Sequence, residues 1–356
     1  MTSSEIIKLR LFNQQIVEKK FAKPQELVSF MGAVQAQDYK MAKWAIGLRL
    51  PGSNDATIEK AFNEGKILRT HVLRPTWHFV TRQDIRWMLE LTAPRILSSL
   101  AHNDRHLSLD KKVLKKTNDV LGKALEGGKQ LTRDEVRSIL QRARIDTSGL
   151  RFIHLLQHAE LDRIISSGGR KNNQFTYALF DERASSKTMG RDEALAELTK
   201  RFYSSRGPAT THDFAWWSGL SVSDAKKGIE MEKRKFKKEI IEGKEYFFRI
   251  PASFTDTISQ TAVLLPNYDE YVISYKDRTE SINKKHLAMI LKERNAVFTN
   301  AILINGKIEG LWQRSIRNSS VFVTTKSFST LSRVRQGLVT RALNRYSKFL
   351  GKSLEV

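Results

Sequence analysis

The sequence predicts an α+β fold with three tandem winged-helix modules followed by a C-terminal β-rich domain. Short helices followed by a strand pair with a polar, basic tip recur three times before residue 260. This order is typical of the winged helix, a variant of helix-turn-helix. Beyond residue 260, strand-like segments dominate. A chain of 356 residues is long enough for several domains, and the predicted boundaries are 1–108, 109–185, 186–258 and 259–356.

The first module is predicted within the first 80 residues. Its three helices precede a strand pair, and their predicted bounds are 4–17, 24–34 and 56–63. The two strands are predicted at 67–70 and 76–80. Residues 83–100 would then form a helix that connects this module to the next.

The second module has the clearest local signals. Residues 112–125 carry apolar side chains at three- and four-residue spacing, and a Gly-Gly pair follows. Thr132 and Glu135 form a capping-box pattern that opens a second helix. A third helix is predicted at 149–163. The strands of the hairpin are predicted at 164–166 and 175–177.

The third module repeats this order. A helix over 192–203 ends at a Gly-Pro break, and a second helix over 211–218 has Thr210 or Thr211 as its cap. Ser221 or Ser223 would cap a third helix. The hairpin is predicted at 238–249, with its turn at 242–244.

The C-terminal domain is predicted to be rich in strands. Its expected strands are 262–265, 271–275, 301–304 and 307–311, and a helix over 332–349 closes the chain. Asn305-Gly306 is a strong signal for a two-residue hairpin turn. Residues 301–356 contain ten basic and two acidic residues, a net charge of +8. A folded segment this basic is expected to face phosphate.

The charge of the whole chain points to a polyanionic partner. Lys and Arg number 61 against 38 Asp and Glu, which gives a net charge of +23. Such a surplus favours DNA, RNA or an anionic membrane surface. There are no cysteines, so disulfides and thiolate zinc sites are excluded.

Several common signatures are missing from the sequence. The first 15 residues lack the apolar core of a signal peptide, and no apolar run is long enough to span a bilayer, so a soluble, cytoplasmic protein is expected. We find no phosphate-binding glycine loop, HExxH helix or GxSxG elbow, and the histidines lack metal-ligand spacing. No cofactor and no metal are therefore expected. No helix shows a sustained apolar seam for dimerisation, so we expect a monomer.

The segment Gln35-Ala36-Gln37 is the strongest candidate for chemistry. Residues two apart on a helix point about 200° apart, whereas in extended backbone they lie on one face. If the preceding helix ends near Val34, both glutamines point towards one place and Ala36 points away. By spacing alone, a solvated polar helix end is the alternative interpretation.

At these residues the sequence resembles the AlkZ/YcaQ family of winged-helix DNA glycosylases. AlkZ-like members carry a Gln-apolar-Gln motif, whereas YcaQ-like members have Asp in the last place, so Gln37 indicates the AlkZ branch. The similarity extends along nearly the whole chain, through segments 73–80, 206–219, 264–278 and 305–312. Pro75 stands where the family's Arg-Gly-Thr-Leu-His segment usually has Gly.

The resemblance implies a function as well as a fold. It implies that the modules surround a basic DNA channel, that double-stranded DNA is the partner, and that Gln35 and Gln37 are catalytic. The implied activity is excision of N7-alkylguanine-type bases, including unhooking of interstrand crosslinks. The alternative is a non-enzymatic winged-helix DNA-binding protein, either a transcription regulator or an architectural factor.

Basic residues on the predicted hairpins are the candidates for contact with DNA. They are Arg69, Arg74 and His78 on the first hairpin, Arg170 and Lys171 on the second, and Lys307, Arg314 and Arg317 in the C-terminal domain. A satisfied interior position is the alternative for His78, and a solvated turn is the alternative for the second hairpin. The Asn305-Gly306 tip is expected to face a DNA groove.

Acidic residues supply the remaining candidates. Asp38 adjoins the glutamines and is a candidate base for activating water, although in extended backbone it faces away from them. Asp269, Glu270 and Asp277 lie among aromatic residues. Structural pairing of these carboxylates, with Arg278 as the expected partner, is favoured over catalysis.

Overall fold

The computed structural model describes residues 1–184, 187–255, 260–292 and 299–356. Within these ranges, helices alternate with antiparallel hairpins, and a larger sheet follows near the C-terminus. This arrangement confirms the α+β class. None of the described helices is long and apolar enough to cross a membrane.

The first 106 residues contain five helices around a small sheet. The elements are α1 (Ser3–Asn13), α2 (Pro24–Met31), β1 (Val34–Gln35), α3 (Tyr39–Gly47), α4 (Asp55–Asn63), β2 (Ile67–His71), β3 (Trp77–Thr81) and α5 (Ile85–His106). The strand order is β1-β3-β2, and both pairings are antiparallel. The sequence predicted the hairpin but neither α3 nor β1. Gly32 has φ +74° and ends α2 earlier than predicted, so the chain can turn into β1.

The next segment confirms the local signals of the second module. Its elements are α6 (Lys111–Leu125), β4 (Gln130–Thr132), α7 (Arg133–Arg142), α8 (Arg151–Leu161), β5 (Ile165–Ser167), β6 (Thr176–Leu179) and α9 (Phe180–Arg183). Thr132 and Glu135 form the predicted capping box at the start of α7. The strand β4 was not predicted, and it pairs with β6 to give the order β4-β6-β5.

The third segment follows the same order with a two-stranded sheet. Its elements are α10 (Arg191–Arg206), α11 (Thr211–Ser218), α12 (Val222–Glu232), β7 (Lys237–Ile241) and β8 (Lys244–Phe248). Thr210 caps α11 and Ser221 caps α12, each through a capping box with an Asp three residues later. These caps resolve the two alternatives that the sequence left open.

The C-terminal segment forms a five-stranded sheet closed by a long helix. Its elements are β9 (Ala262–Leu265), α13 (Glu270–Ile273), α14 (Lys284–Lys292), β10 (Ala301–Ile304), β11 (Lys307–Ile316), β12 (Ser320–Ser327), α15 (Arg333–Leu350) and β13 (Ser353–Glu355). The strand order is β13-β12-β11-β10-β9, and only the β12–β13 pair is parallel.

One predicted strand, at 271–275, is wrong. Residues Glu270–Ile273 form the single-turn helix α13, and Asp269 caps it by accepting a hydrogen bond from Tyr271 N at 2.8 Å. Tyr271, Val272 and Ile273 are all buried. A short apolar run buried on every side has no periodicity that separates a strand from a helix, so the sequence pattern was ambiguous here.

The hydrophobic cores cross the predicted domain boundaries. One core joins residues of α1–α4, such as Trp44, to residues of the C-terminal sheet and α15, such as Trp312 and Tyr346. A second core joins α5 to the third segment. A third lies within residues 109–177. The division into four domains and the count of three winged-helix modules therefore stay predictions.

The Asn305-Gly306 turn forms as predicted, with Asn305 exposed and Gly306 buried. Tyr271 Oη donates a hydrogen bond to Gly306 O at 3.0 Å. A Cβ atom at Gly306 would lie only 2.1 Å from Ile7 Cγ2 of α1. Gly306 is thus covered by the N-terminal helix, whereas the expectation that the tip faces a DNA groove stays a prediction.

Two buried ion pairs join distant segments. Arg49 donates to Asp269 through Nη1, at 2.9 Å from Oδ2, and through Nη2, at 2.8 Å from Oδ1. In the second pair, Arg206 Nη2 lies 2.7 Å from Glu270 Oε2. Both partners of the second pair are fully buried. Burial alone would raise the pKa of Glu270, but the charge and hydrogen bonds of Arg206 hold it at about 2. The carboxyl is therefore ionised at neutral pH.

Replacing Glu270 with Gln should destabilise the protein strongly, because it leaves the buried Arg206 guanidinium without its counter-charge. We expect a loss of about 3–5 kcal/mol in the free energy of unfolding at pH 7. The ordinary carboxyl pKa is about 4.3. The extra stability of the wild type over the variant should therefore be present above pH 5 and shrink as the pH falls towards 2. Urea unfolding at several pH values measures this.

The control for this change is Glu245→Gln. Glu245 forms an exposed pair with Lys238, so its loss should cost less than about 1 kcal/mol. Equal effects of the two substitutions would contradict the importance of the buried pair.

Gly306→Ala should also destabilise the fold. The residue has φ +78°, and an added Cβ would meet Ile7. We expect a loss of about 2–4 kcal/mol, made of left-handed backbone strain and overpacking. Gly243 supplies the control, since it has φ +74° in a comparable hairpin turn with nothing within 4 Å. Thermal unfolding of both alanine variants should show the larger loss at Gly306.

Candidate active site

The Gln-Ala-Gln segment is extended, which is the conformation that the argument from spacing required. Gln35 ends β1 and pairs with His78 of β3, and Ala36 N donates to Trp77 O at 2.7 Å. Gln35 is buried with 6% of its surface exposed, whereas Gln37 is exposed. The segment is thus a strand edge rather than a solvated helix end.

Both glutamine side chains meet the beginning of β3. Gln35 Oε1 accepts a hydrogen bond from Thr76 Oγ1 at 3.3 Å, and Gln37 Oε1 accepts one from Trp77 N at 3.4 Å. The two amides therefore lie at neighbouring residues of one segment. The sequence prediction that both point towards one place agrees with this geometry.

The backbone of the motif is fixed from one side by the buried ion pair. Gln35 N donates to Glu270 Oε1 at 2.8 Å. Arg206 donates to Met31 O at 2.6 Å and to Ala33 O at 2.9 Å. Residues 31–35 are thus held by α10 and α13, two elements that lie far away in the sequence.

Arg69 fixes the motif from the other side. It donates through Nε to Ala36 O at 2.9 Å and through Nη2 to Gln37 O at 3.3 Å. Its guanidinium carbon lies 4.2 Å from the ring centre of Trp77 and 4.8 Å from that of Phe175. Burial lowers the pKa of Arg69 to about 10, so the group stays charged at neutral pH. Arg69 therefore stabilises the backbone of the motif directly. Its contact with DNA stays a prediction.

His78 is an interior residue. It has no exposed surface, and its Nδ1 lies 2.9 Å from Thr76 O. Burial, and then the charge of nearby Arg74, lowers the pKa of His78 to about 3. A neutral, fully buried ring is inaccessible to phosphate in this arrangement, which favours the interior alternative over the predicted DNA contact. Arg74 is half-buried near Trp216, with 5.7 Å between guanidinium carbon and ring centre.

The tip of the second hairpin packs against the first segment. Arg170 N donates to Asn63 Oδ1 at 2.8 Å, and its guanidinium carbon lies 4.2 Å from the Phe175 ring and 5.1 Å from the Tyr39 ring. Lys171 is exposed and lies 3.4 Å from Glu135. Lys171 therefore offers its charge to solvent, whereas Arg170 stabilises the docking of the hairpin.

The three basic candidates of the C-terminal domain are not brought together. Lys307 begins β11 and donates to Glu280 O at 2.7 Å. Arg314 lies near the other end of this strand and Arg317 just beyond it, roughly 23 and 33 Å from Lys307 at the usual rise per residue. Arg314 is half-buried and Arg317 is exposed, with Glu355 3.4 Å from it.

The carboxylates near the motif have structural partners. Asp38 caps α3, accepting from Met41 N at 3.2 Å through one oxygen and from Asn267 Nδ2 at 3.4 Å through the other. Asp269 and Glu270 pair with Arg49 and Arg206, as described above. Asp277 pairs with Lys244 at 2.5 Å. The prediction of structural pairing agrees with these contacts, although the partners are Arg49, Arg206 and Lys244 rather than the expected Arg278.

Sequence reasoning missed the residues that hold the motif. Glu270 was considered only as part of an acidic cluster, and Arg206 was named only within a segment of family similarity. That similarity was the one signal available, because the two residues are 64 positions apart in the chain. Among the described residues there is no group of three or more His, Asp or Glu side chains suited to hold a metal ion.

Comparisons with known proteins agree with this geometry. The structure resembles that of Streptomyces sahachiroi DNA glycosylase AlkZ, with a TM-score of 0.79, 18% sequence identity, and coverage of 100% of this chain and 99% of the other. At this identity the likeness shows the fold. A comparison with curated proteins gives no significant match. Residues 28–349 match the family model described as DNA glycosylase AlkZ-like, so this chain belongs to the AlkZ-like family of DNA glycosylases, enzymes that act on DNA.

Proposed function

We propose that this protein hydrolyses the N-glycosidic bond of alkylated purines in double-stranded DNA, with N7-alkylguanine as its main substrate. Gln35 and Gln37 are the proposed catalytic residues. The proposal depends on one observation: the side-chain amides of both glutamines contact the adjacent residues Thr76 and Trp77. The backbone of the motif is fixed by Glu270 on one side and by Arg69 on the other. Membership of a glycosylase family favours this enzyme over the non-enzymatic DNA-binding alternative.

The chemistry of the substrate explains why neutral groups suffice. Alkylation at N7 gives guanine a fixed positive charge, so the base leaves without first being protonated. The enzyme then has to position water and stabilise a sugar that develops oxocarbenium character. Amide groups do both, because they accept hydrogen bonds and present a fixed dipole to the developing charge.

Asp38 is a weak competitor for the role of base. Its half-buried carboxylate caps α3, and its oxygens accept hydrogen bonds from Met41 N and Asn267 Nδ2. Gln37 in contrast is exposed, so its amide is accessible to a substrate. Accessibility at the surface also suits a crosslinked base, because the second strand tethers it and obstructs its entry into a deep pocket. We include crosslink unhooking in the proposed function on this ground.

DNA binding in this proposal is electrostatic and largely independent of sequence. The chain carries a net charge of +23, and Lys171 and Arg317 are exposed cations on hairpins. Contacts to phosphate give affinity and register but read no bases. We propose that Arg74, Arg170 and Arg314, which are half-buried, contribute to the same basic surface.

Binding to duplex DNA should therefore depend steeply on salt. If six or more phosphates are engaged, the affinity should fall about a thousandfold or more between about 50 and 200 mM salt. Lys171→Gln should reduce the slope of log affinity against log salt by about one. Filter-binding titrations on duplexes of unrelated sequence measure both, and a flat salt response would contradict the proposal.

Gln35→Ala and Gln37→Ala should each slow base release while affinity for DNA stays close to that of the wild type. Loss of one dipole from a preorganised site typically costs about a hundredfold in rate. The measurement is single-turnover release of 7-methylguanine from a duplex with one N7-methylguanine, followed by detection of the abasic site. Wild-type rates in both variants, with an active wild type, would show that the motif is not the catalytic centre.

Two further variants separate the possible roles of the motif. Gln37→Glu keeps the size of the side chain and adds a negative charge near the sugar. If the amide N–H groups of Gln37 hold the water, the rate of base release should fall in this variant. If only the electrostatic field at the sugar matters, the rate should stay close to that of the wild type. Asp38→Asn is the control, since Asn also caps helices well, and it should change the rate less than either alanine substitution.

A further inference from the structure

A cleft of about 400 Å³ lies between the first hairpin and the hairpin of the second segment. Arg69, Trp77, Glu160, Phe175 and Tyr177 are among the residues that line it. Arg69 and Trp77 also contact the Gln-Ala-Gln segment, through Gln37 O and Gln37 Oε1. The cleft therefore adjoins the proposed catalytic residues, although nothing in the proposed mechanism uses it.

Glu160 is an unusual group in the wall of this cleft. Only 1% of its surface is exposed. Its Oε2 accepts from Thr70 Oγ1 at 3.3 Å and from His71 N at 3.2 Å, and lies 2.9 Å from His71 Nδ1. Its Oε1 is buried and has no hydrogen-bond partner within the described parts of the chain. A buried acceptor left without a donor costs about 1–3 kcal/mol, and more when it is charged, so this oxygen is suited to a donor that a ligand brings.

We propose that this cleft binds the guanine ring of an N7-alkylated base that has turned out of the duplex, with Glu160 accepting hydrogen bonds from its Watson–Crick edge. This inference rests on the proposed function. Guanine presents two adjacent donors on that edge, N1–H and the 2-amino group, and carboxylate oxygens are acceptors. Alkylation at N7 makes the ring cationic, which strengthens N1–H as a donor and attracts the ring to the carboxylate.

The rest of the lining matches the same ligand. Enzymes that take a base out of the stack hold it between aromatic or apolar side chains and read its Watson–Crick edge. Trp77, Phe175 and Tyr177 are the aromatic residues of the lining. Arg69 and Arg133 lie in the same lining and carry donors of the kind that guanine O6 accepts. Adenine has an acceptor at N1 where guanine has a donor, so it fits Glu160 less well.

The test compares two substrates in two proteins. The substrates are duplexes with one N7-methylguanine or one N7-methylhypoxanthine, which lacks the 2-amino group. In the wild type, loss of that group should slow single-turnover release about tenfold beyond the intrinsic difference between the bases. In Glu160→Gln, release of 7-methylguanine should fall about tenfold or more. The ratio of the release rates of the two substrates should also shrink to the value set by their intrinsic reactivities. Comparing this ratio between wild type and variant cancels the intrinsic difference between the bases.

The control variant is Asp119→Asn. Asp119 belongs to α6 of the same segment and is 63% exposed, in a pair with Lys115. The substitution removes one negative charge at a residue outside the cleft lining. The release rates of both substrates, and the ratio of these rates, should therefore match the wild type. An equal loss in this variant and in Glu160→Gln would overturn the proposal, because it would reduce the effect to net charge.

Other outcomes separate this inference from the proposed function. If wild-type protein releases no alkylated base from either duplex, the proposed function fails. If the ratio between the substrates is the same in wild type and in a folded Glu160→Gln, the cleft proposal fails and the proposed function stands. If Glu160→Gln does not fold, inhibition of wild-type protein by free 7-methylguanine and free 7-methylhypoxanthine decides. Equal inhibition by the two bases overturns the proposal, and stronger inhibition by 7-methylguanine supports it.

Discussion

The buried pair between Arg206 and Glu270 is the constraint on which the rest of the site depends. Both side chains are fully buried, so each charge has to be compensated inside the protein. Glu270 accepts hydrogen bonds from Gln35 N, Ser274 Oγ and Trp217 Nε1 in addition to Arg206. Satisfying this pair therefore requires α10, α11, α13 and β1 to meet at one point. The same contacts that make the pair tolerable in the core fix the backbone of Gln35.

A fixed backbone matters because the proposed catalytic groups are neutral. A charged side chain acts over some distance, but an amide dipole stabilises a developing charge only when it is already oriented. Glu270 holds the motif at Gln35, and Arg69 holds it at Ala36 and Gln37. Two charged groups thus serve as positioning residues for two uncharged ones. In this arrangement Glu270 and Arg69 act on the motif through its backbone.

Sequence reasoning succeeded where the cause of a structure is local. The capping boxes at Thr132 and Thr210 and the Asn305-Gly306 turn depend on residues within four positions of each other. It failed where the cause is distant. The helix at Glu270 replaces a predicted strand, and the 305–306 turn lies against Ile7, almost 300 positions earlier. The glutamines were identified by resemblance, yet the groups that orient them are brought in from 33 and 235 positions away. No periodicity or turn signal carries information over such separations.

The exposed Gln37 and the cleft at Glu160 suit two different ways of presenting a damaged base. A base tethered to both strands stays in the helix, so it depends on a catalytic group that is accessible at the surface. A base with a small adduct is free to turn out, and then a walled cleft adds recognition that the helix itself hides. Trp77 belongs to both features, since its backbone contacts Gln37 and the residue is part of the cleft lining. Under the two proposals, Glu160 serves only the bases that turn out, whereas the glutamines serve both kinds. Selectivity for guanine and the ability to cleave are then carried by separate residues, and either property can change in evolution without loss of the other.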